Sequence, residues 1–321
     1  MTNKIDKKIS KVLVTGGAGF IGSNLVDALV ERGDEVAVID DLSSGKREYI
    51  NPAAKFYHID ICSEKIPEIF AAEKFDLVFH LAAQIDVARS VKDPFFDNKV
   101  NAFGSLNIFL SCLKYGVKRI VFTSTGGALY GDVTAPAREE DPVVSSSLYA
   151  IHKHTAERYL EMKNRLYGQS YVILRLANVY GPRQYKGAET GVISIFTHNA
   201  ARGIPSILYG DGSKTRDYVF VDDVIRAIIL AADSGYNDIF NIGSGRETST
   251  MDIINKIEGI VGGKFVFSAA ADKPGEVLRS VLDYGKAKRM LGWEPELDLE
   301  TGVRKTLDWL KSGDQLNILV E

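Results

Sequence analysis

The sequence predicts an α/β protein: a doubly wound parallel sheet followed by a smaller α/β domain. Two observations carry that expectation. Short runs rich in Val, Ile, Leu and Phe alternate with helical stretches through the first half of the chain. Continuous apolar runs of this kind mark strands buried on both faces, and strand and helix in alternation require right-handed crossovers between parallel strands. The second observation is a glycine-rich turn that joins the first such strand directly to the first helix. The 321 residues are enough for about two domains.

Taken in order, strands are expected at Lys11–Thr15, Glu35–Ile39, Lys55–His58, Asp76–His80, Arg119–Thr123 and Tyr171–Leu174. A helix is expected over Ile21–Arg32, with Gly33 as its C-cap. After Asn178 the alternation breaks and Gly and Pro become frequent, as in Gly181-Pro182, Gly203, Pro205, Gly210 and Gly212. The first domain is therefore placed at 1–177 and the second at 178–321, with the chain returning to the first near 216–245. A last helix is expected over Leu299–Lys311, amphipathic through Val303, Leu307 and Leu310.

Composition narrows the function. Hydrophobic residues make up 45% and charged residues 25%, so a sizeable core is available. The 39 basic and 42 acidic residues leave a net charge of −3, so nucleic acid and anionic membrane lack their electrostatic warrant. Cys62 and Cys112 are far apart and outside any CxxC pattern, which argues against a disulfide framework or a thiolate metal site. No apolar run reaches the ~18 residues of a membrane span. A soluble, cytoplasmic protein is expected.

Val14-Thr15-Gly16-Gly17-Ala18-Gly19-Phe20-Ile21-Gly22 satisfies G-x-G-x-x-G through Gly17, Gly19 and Gly22, and a wider spacing through Gly16, Gly19 and Gly22. Glycines there let the backbone turn tightly, approach a pyrophosphate at the helix N-terminus and pack helix against strand. The second strand ends in Asp40, 18 residues after Gly22, where a carboxylate can accept both ribose hydroxyls of a dinucleotide. Asp40 would repel the 2′-phosphate of NADP, so the expected cofactor is NAD in a Rossmann-type domain. Gly16, Gly19, Phe20, Ile21, Gly22 and Asp40 are its first candidate contacts. Asp60 and Ile61 after the third strand, and Leu81, Ala82 and Ala83 after the fourth, are the others, because ligands lie at strand C-termini in such sheets. His80 reads as a packed core histidine.

Tyr149 and Lys153 stand four apart on one helical face, downstream of Thr123-Ser124-Thr125 at the end of the fifth strand. A phenol with an ordinary pKa of ~10 is a poor base at neutral pH. A neighbouring ammonium and a positively charged nicotinamide both favour the phenolate. Tyr149 is then the candidate general base, Lys153 tunes it and holds the nicotinamide ribose, and a hydroxyl of Thr125 or Ser124 bridges to the substrate oxygen.

With these motifs the chain resembles the extended short-chain dehydrogenase/reductase family, and within it the nucleotide-sugar epimerases of the UDP-galactose 4-epimerase type. The resemblance covers nearly the whole chain. It includes Asn101-x-x-Gly104, Leu176 to Gln184, Gly210-Asp211-Gly212, Arg216 to Val224, Asn241 to Gly245 and Leu291-Gly292-Trp293. It implies 4-epimerisation of a UDP-hexose through a 4-keto intermediate, with tightly held NAD, no metal, and a homodimer joined through helices near 95–115 and 148–166.

The resemblance also assigns the sugar end. Arg216 matches the family's diphosphate arginine and Asn178 its phosphate asparagine. Lys273 stands where the family usually has Arg and Glu276 where it usually has Asp, with Arg279 close enough to supplement Lys273; Glu276 is the candidate for the uridine ribose. Four residues beyond Glu276, Ser280 occupies the position that borders the C2 substituent, and its small size implies that N-acetylated UDP-sugars are accepted too. One departure concerns the family hydroxyl, which precedes the Tyr-Gly pair by four residues; here Thr125 precedes Tyr130 by five and Gly126 holds the four-back position. The alternatives are a 4,6-dehydratase or a uronic-acid decarboxylase, whose turns carry carboxylates where this chain has Gly126-Gly127, and a non-catalytic NAD-binding scaffold, against which Tyr149 and Lys153 argue.

Overall fold

The computed structural model describes residues 10–184, 191–272 and 277–312. Seven parallel strands form the main sheet: β1 (Lys11–Thr15), β2 (Glu35–Asp40), β3 (Lys55–His58), β4 (Leu77–His80), β5 (Arg119–Thr125), β6 (Ser170–Leu176) and, after three strands placed elsewhere, β10 (Ile239–Ile242). Their order is β10-β6-β5-β4-β1-β2-β3. Winding runs outward in one direction from β1 to β3 and in the other from β4 to β10, so the switch point lies between β1 and β4. Side chains alternate across the pleat. Val12 and Val14 enter one apolar cluster with Leu25, Val26, Leu29, Val121 and Val172, whereas Leu13 enters a second with Ile39, Phe70, Val78, Ile120 and Phe122. This is the doubly wound Rossmann architecture, with both faces covered.

The helices around it follow from the same pattern. α1 (Phe20–Glu31) and α8 (Val221–Asp233) are connected through the first cluster, and α2 (Ile66–Glu73), α5 (Ser105–Lys114) and α6 (Leu148–Tyr167) through the second. α3 (Val87–Lys92) and α4 (Pro94–Asn98) are short turns capped by Asp86 and Asp93, and a π-helical segment, Lys99–Gly104, leads from α4 into α5. Gly104 has a packing reason, since a Cβ there would lie 2.8 Å from Ile61 Cδ1.

The remaining strands and helices build the second lobe. β9 (Thr215–Phe220) is its hub, pairing with β7 (Asn178–Tyr180) through its second half and with β11 (Glu247–Ser249) and β13 (Arg279–Ser280) through its first. β8 (Ser206–Tyr209) and β12 (Phe267–Ala270) form a separate parallel pair, and α7 (Val192–Arg202), α9 (Thr250–Val261), α10 (Gly285–Leu291) and α11 (Leu299–Lys311) pack around these sheets. Trp293 is fully buried and its indole N–H donates to the Asp223 carbonyl at 2.9 Å.

A buried ion pair ties α6 to the sheet. Arg175 on β6 donates to both oxygens of Glu157, at 3.1 and 2.7 Å, and to the Tyr130 hydroxyl at 2.8 Å. Tyr130 donates onward to Asn241 Oδ1 on β10 at 2.9 Å. Glu157 and Arg175 are 0% and 3% exposed, so each charge is tolerable only because the other is present. The arrangement fixes the helix that carries Tyr149 and Lys153.

Candidate active site

The glycine turn after β1 is a place where backbone meets backbone. A Cβ on Gly22 would sit 2.0 Å from the Gly16 carbonyl oxygen, and one on Gly16, at φ +73°, would sit 2.7 Å from the Ala82 nitrogen. α1 begins at Phe20 with Gly19 as its N-cap, no side-chain cap bond and no acid in its first turn. Its N-terminal N–H groups and the helix dipole therefore face the cleft with no anionic competitor, an arrangement that fits a pyrophosphate. Asp40 closes the far side at 8% exposure. Its oxygens accept from Ala18 N–H at 3.0 Å and Leu42 N–H at 2.8 Å, while burial pushes its pKa up from the ordinary value. Asp60 Oδ1 accepts from Cys62 N–H at 2.8 Å, which holds the turn containing Ile61.

The turn at Leu81, Ala82 and Ala83 is held by a chain of hydrogen bonds whose direction can be worked out. Thr15 Oγ1 accepts from the N–H groups of Leu81 and Ala82, both at 3.2 Å, so its own proton goes to His80 Nδ1 at 2.7 Å. His80 Nε2 then carries hydrogen and donates to Ser105 Oγ at 2.9 Å, and Ser105 donates to the Asn101 carbonyl at 2.6 Å. The ring is neutral: full burial and then the charge of Lys153 lower its pKa to about 3. His80 is thus a packed histidine, and it also orients the turn at the sheet's switch point. Thr15 and Ser105 escaped the sequence reading, because a hydroxyl at a strand end and another inside a helix carry no distinguishing pattern.

α6 starts where Ser147 accepts from Ala150 N–H at 3.1 Å, which puts half-buried Tyr149 in the first turn and Lys153 one turn on. Lys153 is 3% exposed and its Nζ lies 4.2 Å from the centre of the Phe122 ring. Burial lowers its pKa to about 7, opposed by the charges of Glu157 and Asp97. At the end of β5, Ser124 Oγ is buried with no hydrogen-bond partner among the described residues. Thr125 Oγ1 accepts from Ala128 N–H at 3.3 Å, which leaves its own proton available. The dinucleotide cradle, the phenol, the ammonium and these hydroxyls share the C-terminal edge of the sheet.

Opposite lies the second lobe. Ser280 is the register partner of Arg216, and Asn178 that of Tyr218. A Cβ on Gly127 would lie 3.2 Å from Asn178 Oδ1 and 3.9 Å from Ser280 Oγ, so the loop after β5 meets both. No local pattern marks Gly127 as this meeting point. Arg216 donates to the Thr215 carbonyl at 2.8 Å and has no carboxylate partner among the described residues. Arg279 differs from the expectation placed on it. Its guanidinium grips Glu247 through Nε at 2.6 Å and Nη2 at 2.5 Å and also donates to the Thr134 carbonyl, because β11 sets that carboxylate across β9 from it. Lys273 and Glu276 lie outside the described residues. Among the described residues no cluster of His, Cys, Asp and Glu could hold a metal ion, and no helix is long and apolar enough to cross a membrane.

A fold with its glycine cradle at the switch point and a Tyr-x-x-x-Lys helix beside it defines a class of dinucleotide enzymes, and comparison with known proteins agrees. Residues 12–243 match the family described as NAD dependent epimerase/dehydratase, and the chain belongs to it. It is 42% identical over 307 residues to a putative UDP-glucose 4-epimerase of Methanocaldococcus jannaschii, covering 95% of this chain and 99% of that one. It is similar to the crystal structure of a UDP-glucose 4-epimerase from Thermotoga maritima with UDP-glucose, at 46% identity and a TM-score of 0.91, covering 94% and 98% of the two chains. It is also similar to a Thermus thermophilus UDP-glucose 4-epimerase in complex with NAD, at 40% identity and a TM-score of 0.91, covering 94% and 99%.

Burial of Lys153 makes a stability prediction for the cofactor-free protein. Between a pH of about 7 and the ordinary lysine value of 10.5 the unfolded chain holds a proton there that the folded chain releases. The penalty on folding is therefore full below the lower value and fades as pH rises through that window. Lys153→Met is expected to raise Tm by several degrees at pH 6, with the gap to wild type closing toward pH 10. Calorimetric scans across that range check it, and a gap that does not change with pH would contradict the burial account.

Proposed function

We propose that this protein is an NAD-dependent UDP-hexose 4-epimerase, acting on the UDP-glucose/UDP-galactose pair and on its N-acetylated counterparts. The observation that carries the reading is the turn of α6 that sets Tyr149 beside a fully buried Lys153 at the end of β5, where the chain has Gly126-Gly127 and no carboxylate. A dehydratase or decarboxylase on this scaffold needs an acid at that turn to move an additional proton or assist a carboxylate.

NAD held by Gly16, Gly19, Phe20, Ile21, Gly22 and Asp40 supplies a reversible hydride acceptor, and the sugar passes through a ketone at C4. Asp60, Ile61, Leu81, Ala82 and Ala83 line the rest of its cleft. Tyr149 takes the 4-hydroxyl proton and returns it, so no net acid or base is consumed. Lys153 stabilises the phenolate and holds the nicotinamide ribose. Its pKa near 7 makes that support sensitive to anything that changes the local charge. Thr125, with Ser124 as the second candidate, donates to the 4-oxygen. Arg216 and Asn178 hold the diphosphate about which the ketone turns over, with Lys273 as the second basic group and Glu276 on the uridine ribose. Arg279, gripped by Glu247, serves the sheet rather than the phosphates.

The protein is further proposed to be a cytoplasmic homodimer. Phe103 and Leu110, seven residues apart, are 53% and 50% exposed, as are Ile151 at 45%, Met162 at 46% and Leu166 at 62% on α6. Two helices with such outward apolar rows fit a four-helix bundle between two copies of the chain. Leu110→Glu is expected to shift the sedimentation mass toward the monomer; an unchanged mass would place the interface elsewhere.

Tyr149→Phe is expected to fold and retain NAD but lose kcat by at least about 100-fold. With wild type, mass spectrometry of UDP-glucose reactions is expected to show UDP-galactose at unchanged mass. Loss of water or carbon dioxide would select a lyase instead.

Ser280, 6% exposed and facing Gly127, is proposed to border the C2 substituent. Ser280→Tyr is expected to lower kcat/KM for UDP-N-acetylglucosamine by at least about 10-fold relative to UDP-glucose. An unchanged ratio would show that the gate lies elsewhere.

A further inference from the structure

A second buried polar cluster lies behind α6, and the reaction described above does not use it. Asp97 on α4 is 0% exposed. Its Oδ1 accepts from Gln84 Nε2 at 2.5 Å and Asn101 Nδ2 at 3.0 Å, and its Oδ2 accepts from His152 Nδ1 at 2.5 Å. Asn101, in the π-helical segment, also clasps the Gln84 backbone, accepting from its N–H at 3.0 Å and donating to its carbonyl at 2.8 Å. One carboxylate therefore joins the loop that follows Ala82 and Ala83 to the first turns of α6. His152 precedes Lys153 directly and follows Tyr149 by three residues, so it lies on the neighbouring helical face.

We infer that Asp97 and His152 are positioning residues for the Tyr149–Lys153 pair: their hydrogen bond locks the start of α6 against the cofactor-facing loop, and the Asp97 carboxylate supports the charge of Lys153 without touching it. The proposal rests on the roles given above to Tyr149 and Lys153. Lateral support matters here because Tyr149 sits in the first helical turn, where the Ser147 cap alone would leave the chain free to fray. The charge balance around the turn is specific. Near Lys153 are Glu157 on its own helix, Asp97 on α4 and neutral His80 at the end of β4, with Tyr149 one turn earlier on α6, while Arg89 and Lys92 on α3 and Lys99 are exposed to solvent. Glu157 is taken up by Arg175 on β6 through two bonds. Asp97 is held by amides and by His152, and its charge adds to that of Glu157, the larger of the two, in supporting the ammonium.

The test compares wild type with His152→Ala, His152→Asn and Asp97→Asn in the full chain with NAD. Three quantities are measured: Tm, kcat and KM for UDP-glucose across pH, and the titration midpoint of Lys153 by NMR of carbon-13-labelled lysine. His152→Ala is expected to lower kcat about 10- to 100-fold with KM changed less than about 2-fold, since the diphosphate contacts lie on the other lobe. His152→Asn, whose amide nitrogen takes the place of Nδ1, is expected to recover most of that loss. Asp97→Asn is expected to move the Lys153 midpoint, and the alkaline limb of kcat with it, down by about 1 unit. A lowered Tm with unchanged kcat, equal damage from Ala and Asn at 152, or an unmoved Lys153 midpoint in Asp97→Asn would each overturn the proposal. A wild type that interconverts no UDP-sugar would count against the epimerase reading alone, because the Lys153 midpoint judges the positioning independently of turnover.

Discussion

The structure depends on one close approach, that of the Gly16 backbone to the turn after β4. Thr15 and His80 are register partners at the ends of adjacent strands, and a Cβ on Gly16, the residue after β1, would lie within 3 Å of the Ala82 backbone. Only glycine permits that contact at positive φ. Because β1 and β4 flank the switch point, the same contact opens the crevice in which a dinucleotide can lie. The chain from Thr15 through His80 to Ser105 keeps the crevice in register by satisfying every donor and acceptor along it, which a buried polar chain must do to be stable.

Parallel topology then gathers the chemistry. Each crossover returns the chain to the same end of the sheet, so Asp40, Ala82, Ser124 and Thr125 meet along one edge although more than eighty residues separate the first from the last. The helix after β5 brings Tyr149 and Lys153 to that edge, and three buried carboxylates, one on that helix, one packed against it and one in the second lobe, have distinct duties. Glu157 is paired with Arg175 and still supports the charge of Lys153, Asp97 is held by amides and a histidine, and Asp217 in the second lobe directs its bonds to structure. That last carboxylate accepts from Ser244 N–H at 2.7 Å, Ser244 Oγ at 2.6 Å, Gly245 N–H at 3.1 Å and Leu282 N–H at 3.2 Å. It thereby fixes β9, which carries Arg216 and is flanked by Asn178 on β7 and Ser280 on β13.

Lys153 shows how burial and function are linked. Burial disfavours the charge of Lys153, and the Phe122 face and the carboxylates of Glu157 and Asp97 offset that only in part. Such a group would respond readily to a phenolate or a cationic ring brought beside it, as the proton transfer proposed above requires.

By itself the sequence determined six of the seven strands of the sheet, the glycine cradle, its acid and the Tyr–Lys pair, because each rests on local periodicity or on spacing between nearby elements, whereas β10 joins the sheet only through the fold. β1 to β6 appear where the apolar runs place them, with β5 extended to Thr125 and β6 to Leu176. What only the tertiary structure decided are contacts between segments distant in the chain. Glu247 claims Arg279 across β9, Gly127 meets Asn178 and Ser280, and Asp97 reaches His152 over fifty-five residues. Nothing in a local pattern reports which carboxylate a guanidinium will find or which buried histidine an aspartate will hold. Those choices are made by strand order and helix packing, since burial obliges each polar group to pair with whatever the fold brings within reach.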